Sequence, residues 1–202
     1  LLKASSKHQG MMIYLDQVNS IGPNSPKGTK KGAGLNENLA REILELHTVG
    51  VEGGYSQADV TEFARALTGL SVGGERDGDQ LGEAAFREMA HEPGPRTVMG
   101  VRYAAGGRDQ VAAILSDLAA RPQTARFVCG KIARHFVSDT PPPTLTERLE
   151  RTWMASGGDL AAVAATLVDS PEAWDATPAK FKTPYEFLIS SWRAAGGAPS
   201  LP

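Results

Sequence analysis

Side chains able to move protons or hold anions recur through the first half of the sequence, at spacings that helices would bring together. Asn36, Asn38, Glu42 and His47 stand in a run of helical period. Tyr55 and Asp59 follow at a turn, Arg65 lies on the next helix, and His91 and Arg96 come after it. Packed together they would make a polar cleft around the 36–48 helix. In it Glu42 could serve as acid or base, His47 or His91 could assist, and Arg65 could stabilise an anion, the parts of a hydrolase-type site. Asn36, Asn38, Tyr55, Asp59 and Arg96 would be its ligand-binding groups. A carboxylate beside Arg65 or Arg96 keeps a low pKa, whereas one facing an apolar wall is raised and can donate a proton. The same residues read more readily as a buried polar network pinning helices to a hairpin, with Asp59 only capping its helix.

Other chemistries find less support. His8, His47, His91 and His135 are scattered, no HExxH occurs, and His91-Glu92 runs into Pro93 instead of a helix, so no metal set is expected beyond a metal-assisted version of the same cleft. Asp77-Gly78-Asp79 has the start of a calcium loop without its spaced ligands or terminal Glu. No Gly-x-Ser-x-Gly elbow is present, and Gly32 and Gly34 lack the strand and the Lys-Ser/Thr ending of a phosphate loop, so no cofactor is expected. Cys129, the single cysteine, excludes an internal disulfide and falls inside a predicted helix as a small core hydrophobe.

The elements that must position these groups follow from periodicity and punctuation. Leu35, Leu39, Ile43 and Leu46 predict a helix over 35–48; on its wheel Leu39, Ile43 and Leu46 fall within an arc of about 80°, stopped by Gly50. Glu37, Arg41 and Glu45 lie opposite as a surface ion-pair ladder, and Glu42 sits beside the apolar arc. Asn36 and His47 flank its other edge but stand roughly 16 Å apart along the axis, too far to share one ligand. His47 suits a helix C-terminus as well as a site. Ser56 with Asp59 forms a capping box for a second helix over 57–68, ended by Gly69. Phe86 to Met89 and Thr97 to Tyr103 predict one short hairpin around Pro93-Gly94. Helices are expected over 109–120, 123–137, 144–155, 159–168 and 184–195, separated by Arg121-Pro122, Pro141-Pro142-Pro143, Gly157-Gly158 and Ser170-Pro171. Trp153, Trp174 and Trp192 read as core plugs before any stacking platform. Arg126, Lys131 and Arg134 give one helix a basic side, and Lys27, Lys30 and Lys31 lie in a glycine-rich stretch.

The expected fold is therefore mainly α, a bundle of about six to eight helices with one short β-hairpin, in a single domain with flexible loops at 22–34 and 71–82. Its 202 residues suit one core, with 41% hydrophobic and 22% charged residues. With 21 Lys+Arg against 23 Asp+Glu the net charge is −2, which excludes charge-driven binding to nucleic acid or anionic membrane. No apolar run is long enough for a membrane span.

The run Asn36-Glu37-Asn38-Leu39-Ala40-Arg41-Glu42-Ile43-Leu44-Glu45-Leu46-His47-Thr48-Val49-Gly50, with Gly53-Gly54-Tyr55-Ser56-Gln57-Ala58-Asp59-Val60 and Ala64-Arg65-Ala66-Leu67-Thr68-Gly69, closely resembles the bacterial family catalogued as domain of unknown function (DUF) 1800. His91-Glu92-Pro93-Gly94-Pro95-Arg96-Thr97, Ser170-Pro171-Glu172-Ala173-Trp174 and Lys182-Thr183-Pro184-Tyr185-Glu186-Phe187 fit in the same order, so nearly the whole chain is covered. Leu70 stands where many members have Trp, and the stretch from Ser71 to Gly82 looks short. Family members are about twice as long, so the resemblance implies the C-terminal half of a larger, exported bacterial protein, periplasmic or secreted, partnered by its own N-terminal half. It also implies a partner similar to sulfatases and alkaline phosphatases, often encoded nearby. It implies no reaction, and a helical binding or scaffold domain is the leading expectation.

Overall fold

The computed structural model describes residues 1–31, 34–75, 77, 81–175 and 180–197. Gly32, Gly78 and Asp79, named above for phosphate and calcium loops, lie outside them. Short helices come first: α1 (Leu2–Ser6), α2 (Gln9–Tyr14) and, after a 3₁₀ turn at Gln17–Asn19, α3 (Gly28–Lys31). The glycine-rich stretch before α3 is tied down by its backbone. The Gly22 amide donates to the Ala90 carbonyl at 2.9 Å and the Lys27 amide to that of Met89 at 2.8 Å. Buried Glu92 accepts from both the amide and the side chain of Asn24, at 2.7 and 2.6 Å. Gly22 is required there, because an added Cβ would lie 2.6 Å from Glu92.

The predicted 35–48 helix is shorter and ends differently. Its α-helical part is α4 (Asn38–Glu42), followed without a break by a π-helical turn at Ile43–His47. The start moves because Asn36 takes other partners: its Oδ1 accepts the Asn38 amide at 2.8 Å and its Nδ2 donates to the Leu15 carbonyl at 2.9 Å. The end widens because the Gly50 amide donates to the Leu44 carbonyl, six residues back, and Thr48 Oγ1 donates to that of Ile43. A wheel of 100° per residue fails over that turn. Leu46, placed on the apolar arc by the wheel, is 45% exposed. The next helix, α5 (Gln57–Leu67), carries the Ser56/Asp59 capping box as expected, and Gly69 beyond it has φ +88°.

The single hairpin is replaced by two. Strand β1 (Leu70–Val72) pairs antiparallel with β2 (Ala84–Phe86), Leu70 opposite Phe86. After a 3₁₀ turn at Glu88–Ala90, β3 (Arg96–Val98) pairs with β4 (Val101–Tyr103). Phe86 thus pairs backwards across the glycine-rich segment, and Thr97 faces Arg102 across a two-residue loop, Met99-Gly100, with φ +47° and +79°. Pro93-Gly94 turns no hairpin, since the chain there is held by Glu92 on Asn24 and by Arg96 on the Pro93 carbonyl.

The rest is helical: α6 (Arg108–Ala120), α7 (Pro122–Phe136), α8 (Pro143–Ser156), α9 (Leu160–Val168), a 3₁₀ turn at Pro171–Trp174 and α10 (Pro184–Ala194). Proline opens α7, α8 and α10, where its missing N–H costs nothing. The fold is mainly α, with ten α-helices and two small antiparallel sheets among the described residues. None of these helices is long and apolar enough to cross a membrane. Burial falls into two clusters. One gathers Met12, Leu39, Ile43, Phe63, Leu67, Ile114 and Leu118; the other, on α7 to α9, gathers Cys129, Leu145, Leu149, Trp153, Val163 and Leu167. Of the tryptophans, only Trp153 is a core plug: Trp174 is 72% and Trp192 44% exposed.

Candidate functional site

The polar residues named from the sequence fall into separate hydrogen-bonded groups. Asn36 ties α4 to the Leu15 carbonyl, while Asn38 is exposed. Asp59 accepts from Ser56 at its own helix start and, through Oδ1, from the Met99 amide, so it clamps the tight turn between β3 and β4 onto α5. Burial opposes its ionisation, yet those donors hold its carboxyl below the usual range. Tyr55 donates to Glu45 at 3.4 Å, and burial together with that carboxylate raises its phenol. Glu45 thereby leaves the expected ladder, of which only the Arg41–Glu37 pair forms, at 3.1 Å. Glu37 also accepts from Thr61 at 2.7 Å and Gln57 at 2.8 Å; the Thr61 hydroxyl does most to keep it below the usual carboxylate range.

Arg65 and Arg96 do meet, around a residue the periodicity passed over. Glu62 pairs with Arg65 through one oxygen and with Arg96 through the other, the latter at 3.2 Å. Arg96 also donates to the Pro93 carbonyl, and the Nε of each arginine is buried without a hydrogen-bond partner among the described residues. The group joins α5 to β3. His91 is buried beside it, where its Nδ1 donates to the Thr68 carbonyl at 2.8 Å and its ring meets Phe86 at 5.1 Å. A helical spacing of three places Glu62 beside Arg65, which is the signal that finds it.

Glu42 is half-buried and its side chain makes no hydrogen bond or ion pair with the described residues. His47 stands apart from His91, in the wall of a different feature. Hence no single observation draws Glu42, His47, His91 and Arg65 into one catalytic set, and among the described residues no three His, Cys, Asp or Glu side chains cluster as a metal would require. Cys129 is fully buried, its thiol pushed up to about 12 by burial, as a core residue should be.

The feature holding His47 is a groove of about 690 Å³ between α1, the π-helical turn, α6, α7 and the end of α8. Leu46, Leu115, Val128, Ile132 and Trp153 form its walls, with Phe136 and Leu160 at its rim. Its titratable lining is wholly basic: Lys3, His47, Lys131 and His135. The π turn matters here, because it sets Leu46 and His47 side by side in the wall. Gly158, at φ +86°, lies at the far end, where an added Cβ would fall 3.3 Å from the Trp153 ring. Sequence reasoning singled out His47 but not the groove, whose walls join α1 and the π-helical turn to the much later α6, α7 and α8.

A family model described as protein of unknown function (DUF1800) matches residues 1–201. No curated protein and no solved structure matches the chain.

Proposed function

The chain belongs to the DUF1800 family, and from that premise we propose that it is a helical binding domain, a scaffold that captures a partner segment in the groove beside α7. The observation that carries this reading is the groove's makeup. Its walls are apolar, its titratable lining is basic, and the lining residues Leu46, Phe136 and Leu160 are exposed, so the apolar surface is open to solvent along the groove. A small molecule is usually enclosed, whereas an open apolar groove with solvent-exposed walls suits an amphipathic helix laid along it. The occupant that fits is a helical protein segment with an apolar stripe flanked by acidic residues. The family resemblance implies a setting that suits such a domain: an exported bacterial protein acting with the rest of its own chain and with a phosphatase-like partner.

A labelled peptide helix with leucines at i, i+3 and i+7 and flanking glutamates tests the groove by fluorescence anisotropy. Leu46→Asp, at a surface-exposed wall position, is expected to weaken binding about tenfold or more. Equal affinity for both proteins would remove the groove from the reading. Co-purification of the full-length protein with a phosphatase-like neighbour tests the partner, and its absence at micromolar concentration counts against the scaffold role.

A further inference from the structure

On the other edge of α7 lies a second concavity of about 470 Å³, which shares only Lys131 with the apolar groove. Its two sides are α7 and the turn at 49–53. Arg126, Lys131 and Arg134 line it against one acid, Glu52. None of the three cations is well neutralised by a neighbour. Arg126 is 76% exposed with Glu150 at 3.9 Å, a pair of little worth, and Lys131 stands 4.7 Å over the Phe127 ring. The Arg134 side chain makes no hydrogen bond or ion pair with the described residues, its charge being felt only at longer range by Asp139, which pairs with Lys180.

The floor between these charges is built. Phe127 is pressed against Gly50, which has φ +83° and where a Cβ would fall 2.4 Å from the ring, so only glycine admits this approach. The turn closes with the Gly53 amide on the Gly50 carbonyl at 2.9 Å, leaving the amides of exposed Val51 and Glu52 without partners among the described residues. Gly130 lies in the cleft between Arg126 and Arg134, and a Cβ added there would meet nothing within 4 Å. A glycine in mid-helix costs about 1 kcal/mol against alanine, and here packing does not ask for it. It leaves a bare strip of helix between two arginines eight residues, or roughly 12 Å, apart along the axis.

From this arrangement we infer that the cleft binds an extended acidic polypeptide segment, its carboxylates on Arg126, Lys131 and Arg134 and its backbone passing over Gly130. A span of roughly 12 Å exceeds what a single phosphate group can bridge, whereas successive acidic side chains match it. Apart from the shared Lys131 the site stands on its own residues, Arg126, Gly130, Arg134 and Glu52, and does not need the apolar groove to be occupied.

Fluorescein-labelled hexaglutamate, which has no apolar stripe, tests the cleft alone when titrated against the full chain. Binding is expected to weaken steeply between about 0.01 M and 0.15 M ionic strength, as screening shortens from roughly 30 to 8 Å. The double variant Arg126→Gln/Arg134→Gln, both at exposed positions, is expected to lose about tenfold or more in affinity, and Glu52→Gln to gain. Gly130→Glu, where the added side chain meets open space, keeps the fold by circular dichroism and abolishes binding. No binding at millimolar peptide, or equal affinity in the arginine and Gly130 variants, overturns the proposal. Tripolyphosphate binding in the same cleft with peptide unable to displace it overturns it too. Leu46→Asp leaves hexaglutamate binding unchanged, so failure here and failure of the groove are read separately.

Discussion

Asn36 shows how much a single side chain decides. Its amide, bonded to Leu15 and to the Asn38 backbone, holds residues 35–37 out of the helix that their pattern predicts. Competition between a local side-chain bond and the helical ladder is invisible to a count of apolar spacings. Arg65, Arg96 and Asp59 were legible as residues with work to do, and Glu62 stands at helical spacing from Arg65, but the Glu62–Arg96 pair and the Met99 amide on Asp59 come only through tertiary contact. The charge that titrates most tellingly is elsewhere. Arg148 on α8 donates to both oxygens of Glu172, at 2.7 and 3.1 Å, and chiefly this holds Glu172 down at about 2 from an ordinary 4.5. A lowered folded pKa stabilises above the unfolded value, so this tether is complete above pH 4.5 and is lost as pH falls from there to about 2. A carbon-13 NMR titration of the Glu172 carboxyl should show a midpoint near that lower value; a midpoint near 4.5 would show the pair absent in solution.

Elements whose signals are local were readable, and those needing a distant partner were not. The Ser56/Asp59 box, the prolines that open α7, α8 and α10, and glycine ends such as Gly69 all act within one turn of their own position. The hairpins depend on pairing: Leu70 with Phe86 crosses a segment that carries no strand pattern, so the alternation after Phe86 pointed to the wrong partner. The π turn was hidden for another reason, because its widening is set by Thr48 and Gly50 beyond it. Gly50 links that turn to α7. Gly50→Ala combines a left-handed φ with a Cβ 2.4 Å from Phe127, and is expected to destabilise by about 2 kcal/mol or more. Urea unfolding checks this through the midpoint, and an unchanged midpoint would show that the contact can open without loss.

Across the whole molecule, mainly helical class was legible from punctuation, whereas the groove was not, because its walls are distant in sequence and meet only on folding. The aromatic surface of α10 is the clearest feature with no core role. Tyr185, Phe187 and Leu188 are each more than 60% exposed and no residue of the helix is buried. A chain ending at Thr183 is therefore expected to melt within about 2 °C of the full chain, and a loss above about 5 °C would reveal packing by α10. The division of burial into two clusters bears on how the chain reaches this state. Helices α7, α8 and α9 are sequence neighbours, so the second cluster closes through short loops and should form fast. The first must bring Met12 to Leu118, a slow search. Synthesis from N- to C-terminus gives the slow cluster a head start: most of its residues leave the ribosome before α7, α8 and α9, and the quick trio then condenses onto a partner already forming.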